Sequence, residues 1–490
     1  MPVLLVISAI TRPPPLAWMK RHDTLKKTDT GNPMAEHTTI LKRVTGSISQ
    51  RPVLAGTDKK RPWAAYENLI LHVHPRKVPL EALRFSRTWG LGGMCVVLFL
   101  LLAMSGMLLL FVYEPFPEKA YRSVMTIQNQ VMFGQLVRNI HYWSANFLIV
   151  IAFLHLLRVY FTGAFHSVRQ FNWVIGIFLF SGILISNFTG YLLPWDQLAY
   201  WAVTISTGMT EYIPLAGSSI QAMLQGGDET GSATLLMFFT LHATVLPGSL
   251  LLLMFYHFWR VRKAGGVAIP TDTESGEVEK PPMVATLPNL VLREGVVALI
   301  LIAVIMTLSV VFNAPLGEMA NPGLSPNPAK APWYFMGIQE LLLHFHPVFA
   351  VFLIPTTFFL LVIMLPYLRY DAARPGTWFF SEKGKKASIS ATITAVILVP
   401  SAILLNEVII DIPGWFPTLP PVISDGLFPA VLMVCAIATF HWAIRKRTAS
   451  VNNETTQAVF TLIVVSFVLL TITGVWFRGE GMALVWPFTH

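Results

Sequence analysis

The 490-residue chain is 54% hydrophobic and 12% charged, about half the charge of an average soluble domain. A chain this long with so few charges cannot cover itself in water-facing side chains. This excludes disordered, collagen-like and ordinary soluble classes and leaves an all-α, polytopic membrane protein. The net charge of +9 does not point to nucleic acid, because the basic residues cluster in short loops beside apolar runs.

The first ten residues are mostly apolar, but Arg12 and three prolines follow with no small-residue cleavage site, so no signal peptide is read. Met34 opens a segment that reads more naturally as a start. Residues 1–65 are expected to form a poorly ordered cytoplasmic extension. From 66 to 88, apolar positions such as Leu69, Ile70, Leu80 and Leu83 stand among basic ones, as in an amphipathic segment lying on a membrane surface.

Nine apolar runs follow, at about 89–112, 140–161, 173–193, 233–258, 289–312, 347–369, 388–410, 427–444 and 456–476. Runs of about 20 such residues cross a hydrocarbon core of ~30 Å as helix. The first four fall in a domain over 66–263 and are expected to form a four-helix bundle. A polar, proline-rich linker covers 264–288, a second domain covers 289–444, and the ninth run sits alone in 445–490.

The loop charges orient the chain. With the N-terminus in the cytoplasm, the cytoplasmic loops carry Arg169; Arg260, Arg262, Lys263 and Lys280; Arg374, Lys383, Lys385 and Lys386; and Arg445, Lys446 and Arg447. On the outer side, 194–232 and 411–426 hold no Lys or Arg, and the loop before the sixth run holds Lys330. The first outer loop is the exception, with Lys119, Arg122 and Arg138. This is the positive-inside pattern.

Two cysteines, Cys95 and Cys435, lie in apolar runs, and no CxxC or CxxCH occurs. A disulfide scaffold, an iron–sulfur site and a c-type haem attachment motif are excluded.

Four histidines lie inside spans: His141 and His155 in the second, His242 and His257 in the fourth. The intervals of 14 and 15 residues correspond to ~21 and ~22 Å of helix rise, with each pair near one face. Ionisable groups inside a membrane are functional suspects. One such histidine could serve an interhelical hydrogen bond; two matched pairs fit axial ligation of two stacked haems, His141 with His242 and His155 with His257. Gly92 and Gly106 in the first span, and Gly176 and Gly190 in the third, repeat the 14-residue interval. Glycine lets a flat macrocycle approach a helix, although small-residue helix packing uses it too. Arg138 and Arg158 flank the histidines at the water edge, where a guanidinium would bind a haem propionate or simply snorkel.

These residues together resemble cytochrome b, the core subunit of quinol–cytochrome c and quinol–plastocyanin oxidoreductases, from about 66 to 370 and more weakly beyond. The carrying motifs are Gly92-Gly93…Ser105-Gly106, Arg138-Asn-Ile-His141, His155-Leu-Leu-Arg158, Gly190-Tyr-Leu-Leu-Pro-Trp-Asp196-Gln and His242…His257. The 15-residue interval looks like the split, plastid-type form, here with both halves fused. The resemblance implies two non-covalent b-type haems and quinol or quinone as substrate, with menaquinone one candidate. It also implies a Rieske-type Fe–S protein and c-type cytochrome subunits as partners, a homodimeric complex, and a place in the bacterial cytoplasmic membrane. Electrons would pass from quinol through both haems, coupled to proton translocation.

Two departures stand out. The family's Pro-Glu-Trp-Tyr motif is Ala331-Pro332-Trp333-Tyr334, so the glutamate expected to accept a quinol proton is missing. Glu340 is the nearest carboxylate in that loop and is expected to take the role beside Trp333 and Tyr334, with His344 or His346 as alternates. Gly90 stands where relatives tether an extra haem through cysteine, so no covalent haem is expected. The ninth span exceeds the usual eight and could pack against a partner subunit. A Rieske-independent cytochrome b feeding multihaem c-type cytochromes is the alternative reading. A nine-span transporter with buried proton-relay histidines would call for a midplane site and internal repeats, and no convincing repeat is found.

Overall fold

Among the described residues, nine helices are long and apolar enough to cross a membrane, one for each apolar run of the sequence. The computed structural model describes residues 74–270, 281–371, 375–448 and 450–487. The expected N-terminal extension, 1–65, lies outside them, as do 66–73 and the middle of the linker. The helices are Leu91–Leu110, Gly134–Phe161, Ser167–Leu192, Ser232–Lys263, Thr286–Val311, Val348–Tyr367, Glu382–Val408, Val422–Thr448 and Asn452–Trp476. They are referred to by number in that order. A helix satisfies its own backbone N–H and C=O groups, as a lipid-embedded segment requires. Large apolar side chains such as Leu100, Leu252, Leu299 and Ile397 accordingly remain on the outside of the bundle.

Helices 1 to 5 close around one core. Leu98, Leu148, Ile149, Ala152, Ile183, Leu250, Leu301 and Ile305 meet there, every one of them buried. At the end of the bundle nearest the start of helix 3, Tyr160, Phe165, Trp173 and Ile177 pack against Val362, Leu365 and Tyr367 of helix 6 and Phe460 of helix 9. The Trp173 Nε1–H donates to the Val362 carbonyl at 2.7 Å.

Helix 9 packs inside the chain. Ala387, Ala391 and Ala395, four residues apart on helix 7, form a smooth ridge against Ala458 and Leu462 of helix 9 and Ile444 of helix 8. Small side chains allow the backbones to approach, and dispersion then holds the helices together. The near-sequential Asn453, Glu454, Thr455 and Gln457 at its N-terminal end are also buried. One face of helix 9 is thus committed to packing within the chain, while Phe467, Val468 and Trp476 stay exposed.

Three spans contain a π turn, at Leu241–Val245, Val348–Leu353 and Val422–Leu427, and Pro247, Pro355 or Pro429 follows two residues later. Proline lacks the N–H and crowds the carbonyl four residues back, so the ladder widens locally. Pro400 leaves helix 7 unbroken.

The described part of the segment before helix 1 is built of short pieces. Lys77–Pro79 forms a strand, Leu80–Leu83 a 3-10 turn and Phe85–Thr88 a short helix. Pro75 and Pro79 explain the break. The strand pairs antiparallel with Met283–Ala285, so the far end of the linker is fastened to the entry of helix 1.

Candidate functional site

His141 and His242 enter the bundle near one end, and His155 and His257 near the other. Their ring centroids are 6.1 and 6.5 Å apart. Two imidazoles bound to one metal ion from opposite sides, each through a bond of about 2 Å, place their centroids roughly 6 Å apart. Both pairs have that separation.

The glycines face the same rings. A methyl group added at Gly92 would stand 3.5 Å from His155 Cε1, at Gly106 3.1 Å from His141 Cε1 and at Gly176 3.8 Å from His257 Cε1. At Gly190 it would press closest of all, onto His242. All four glycines thus clear the space beside a ligand ring.

The second ring nitrogens set the tautomer. His242 Nδ1 lies 2.9 Å from the Ser186 carbonyl oxygen, which only accepts, so this nitrogen carries the proton. Ser105 Oγ donates to the Leu101 carbonyl at 2.6 Å and therefore accepts from His141 Nδ1 at 2.9 Å. Nε2 of both His141 and His242 is left with its lone pair for a metal. The buried His257 Nδ1 has no hydrogen-bond partner. The donor set of neutral imidazoles and the glycine clearances fit a haem at each level.

Arg138 donates to the carbonyls of Ala314 at 2.8 Å and Pro315 at 2.5 Å. It also reaches Gln128 Oε1 at 3.3 Å. Arg158 Nε donates to the Arg87 carbonyl at 2.8 Å. The two arginines tie the bundle to the chain segments that cap it.

The loop between helices 5 and 6 lies against helix 2. Trp333 Nε1–H donates to Asn146 Oδ1 at 2.7 Å, and Tyr334 packs onto the core of helices 1 to 5. Burial, then the nearby Tyr191 and Tyr142 hydroxyls, push the Tyr334 phenol above its usual range. Pro332 sits at the N-cap of a 3-10 turn, Trp333–Phe335, where its fixed φ suits the turn. Asp196 anchors this loop: it caps the helix Gln197–Met209 through Ala199 N–H at 2.9 Å and accepts from Gly317 N–H at 2.8 Å.

Glu340 lies on the short helix Met336–His344 and is fully buried. Arg478, just past helix 9, grips it: Nε reaches Oε2 at 3.0 Å and a terminal nitrogen reaches Oε1 at 2.5 Å. Arg478 also contacts Glu407 at 2.7 Å. His344 Nε2 is 3.3 Å from Glu340 Oε1, and its Nδ1 is 2.5 Å from Asn406 Oδ1. Burial raises the Glu340 pKa, but hydrogen bonds from His344 and Arg478 and the guanidinium charge outweigh it, and the carboxyl titrates below its ordinary range. His346 lies apart from this cluster, edge-on to Tyr212.

Arg478, Glu407 and Asn406 carry no weight in the sequence reading. A signal existed: Arg478 follows a span on the side where basic residues are scarce, and Glu407 is a carboxylate within an apolar run.

Paired imidazoles inside a helical membrane bundle, each faced by a glycine, define the class of haem-binding electron-transfer proteins of membranes. The family model described as Cytochrome b/b6/petB matches residues 79–265. Cytochrome b6 of Synechococcus elongatus is 43% identical over 175 residues, covering 36% of this chain and 81% of that protein. A cytochrome bc complex cytochrome b subunit of Chlorobaculum thiosulfatiphilum is 34% identical over 299 residues, covering 61% of this chain and 68% of that protein. A chain of a solved structure described as hyperthermophilic respiratory Complex III shares the fold, with a TM-score of 0.57 and 22% identity over 79% of this chain and 91% of that one. The chain belongs to the cytochrome b/b6 family, and is the cytochrome b subunit of a bc-type or b6f-type quinol-oxidising electron-transfer complex. It is an integral, multi-pass membrane protein.

Proposed function

We propose that this chain is the dihaem cytochrome b of a respiratory quinol-oxidising complex in a bacterial cytoplasmic membrane, with its N-terminus inside. His141 and His242 would hold the outer haem, His155 and His257 the inner one, both without covalent attachment. Bound haem supplies a one-electron iron centre. Helices 1 to 4 keep the two levels apart by the rise between the histidines of one helix, and the apolar core between them excludes water. Trp333, Tyr334 and Glu340 belong to an outer quinol-oxidation site, with menaquinone a candidate substrate. A Rieske-type Fe–S protein and a c-type cytochrome are the fitting acceptor partners, and a homodimer the fitting assembly.

One observation carries this reading: four predicted glycines each face a predicted ligand ring, in two pairs with centroids 6.1 and 6.5 Å apart. Interhelical hydrogen bonding alone would not need such clearance. The test is a pyridine haemochrome assay with protein quantitation on the purified chain. Two b-type haems per chain are expected, and one in His155→Ala. A folded parent without haem would overturn the proposal.

A further inference from the structure

Helix 9 ends at Trp476, and the chain then turns back on itself. Gly479 N–H donates to the Ala483 carbonyl at 3.0 Å, and Val485 N–H to the Phe477 carbonyl at 3.0 Å, which folds residues 477–485 into a small hairpin. Arg478 Nη1 braces the turn through the Met482 carbonyl at 2.9 Å. The rest of its guanidinium holds Glu340 in a buried pair.

The hairpin and helix 9 clasp one body of chain. Gln339 Oε1 accepts from Ala331 N–H at 2.7 Å, and its Nε2 donates to the Ala329 carbonyl at 2.7 Å. The loop from Ala329 onward is thereby tied to the helix Met336–His344, with Trp333 and Tyr334 between the two. Lys330 Nζ donates to the Val475 carbonyl at 3.1 Å. That carbonyl is among the last of helix 9, which lack partners within the helix and favour a cation. Asn327 Oδ1 accepts from Gly481 N–H in the hairpin turn at 2.6 Å. Gly337 lies against Phe467 and Thr471, and Gly474 against Met336.

The holds on the two sides of this body differ in kind. Towards helix 2 it offers one neutral hydrogen bond, from Trp333 to Asn146, and the packing of Tyr334. Towards helix 9 the bonds from Arg478 and Lys330 carry charge, and such bonds are roughly twice as strong as neutral ones. The stronger polar hold thus lies behind the loop. It sets the place at which Trp333 and Tyr334 meet helix 2.

We infer that helix 9 and the hairpin after it are the positioning element of the Trp333–Tyr334 loop, with Arg478, Lys330 and Asn327 as positioning residues. These three act through the loop and keep it seated before anything binds. The apparent affinity of a site falls with the fraction of molecules in which the site is formed. The inference rests on the proposed function for the identity of quinol as the molecule bound there.

The test uses the full chain in its purified complex, as the parent, Lys330→Met, Asn327→Ala, the double variant and Arg478→Lys. Hydrogen–deuterium exchange read by mass spectrometry follows residues 329–344 with no quinol present, and haem content and thermal unfolding are read alongside. Loss of one bond of the clasp should quicken exchange there roughly tenfold, with helices 2 and 4 unchanged. Haem reduction by a short-chain quinol then separates positioning from stability alone. At unchanged haem content the KM for quinol should rise severalfold in the double variant, while the rate at saturation stays within about twofold of the parent. A merely structural tie would lower the unfolding midpoint and leave the KM where it was, and that result overturns the inference. Exchange in 329–344 that no variant quickens overturns it as well. Should Arg478→Lys fail to fold, the Lys330 and Asn327 variants decide. A parent whose loop is protected from exchange but whose haem quinol never reduces would instead defeat the proposed function.

Discussion

Arg478 reaches across 138 positions of sequence to hold both carboxylate oxygens of Glu340. Both side chains are essentially inaccessible to solvent. Removing one partner of such a pair strands a buried charge, at a cost of about 3–5 kcal/mol. Arg478→Ala should therefore lower the unfolding free energy of the purified protein by about that amount, with Arg478→Lys recovering part of it. Equal stability of the parent and Arg478→Ala in denaturant titrations would refute this account of the pair.

The same pair sets a pH dependence. The folded-state pKa of Glu340 is depressed, so the unfolded chain binds its proton first as acid is added. The stabilisation is complete above the ordinary glutamate pKa of about 4.3 and is lost as pH falls through the lower folded value. Glu340→Gln has no such proton to take up. Its thermal midpoint should fall less than the parent's between neutral pH and about pH 3.

The four glycines grade one another. The clearance a methyl group would find runs from Gly176, at 3.8 Å, through Gly92 at 3.5 Å and Gly106 at 3.1 Å to Gly190, the tightest. A ligand ring cannot swing away without leaving its partner across the bundle. Alanine at Gly176 should preserve haem content, whereas alanine at Gly190 should deplete the outer level first. Pyridine haemochrome ratios across the four variants measure this, and an inverted order would contradict the geometry.

Helix 9 and the loop helix touch through reciprocal glycines. A methyl group at Gly337 would meet Phe467 at 2.7 Å and Thr471 at 2.8 Å; one at Gly474 would meet Met336 at 2.9 Å. Gly337→Ala should cost about 1–3 kcal/mol through overpacking. It should also lower quinol oxidation, since Glu340 rides on that helix. Unaltered stability would show that the contact yields without strain.

The indole of Trp333 is fixed by Asn146. Trp333→Phe keeps the ring and removes the donor, leaving Asn146 short of one partner, at about 0.5–1.5 kcal/mol. Quinol turnover should fall up to about tenfold at unchanged haem content. A fall in haem content would place the tryptophan in the fold rather than in the outer site.

The spans, the four histidines and their glycines were legible because each follows from a local rule. A membrane demands an unbroken apolar run, and a flat ligand held by two helices demands a fixed interval. The Glu340–Arg478 pair obeys no local rule: it is a contact between distant segments that only the packing of helix 9 creates. The packing itself was half visible in Ala387, Ala391 and Ala395, whose period of four marks a smooth helix face without naming what lies on it. The form of the segment before helix 1 was less legible. Its apolar positions read as an amphipathic segment, and in its described part Pro75 and Pro79 break the chain into a strand, a 3-10 turn and a short helix.

The placement of Arg478 beyond helix 9 has a consequence in time. A ribosome adding about 5–20 residues per second needs roughly 7–28 s to pass from Glu340 to its partner. For that interval the carboxylate has no counter-ion, and it stays in water or takes a proton. The end of the molecule that carries the loop helix is therefore completed last, after the nine described spans have been made.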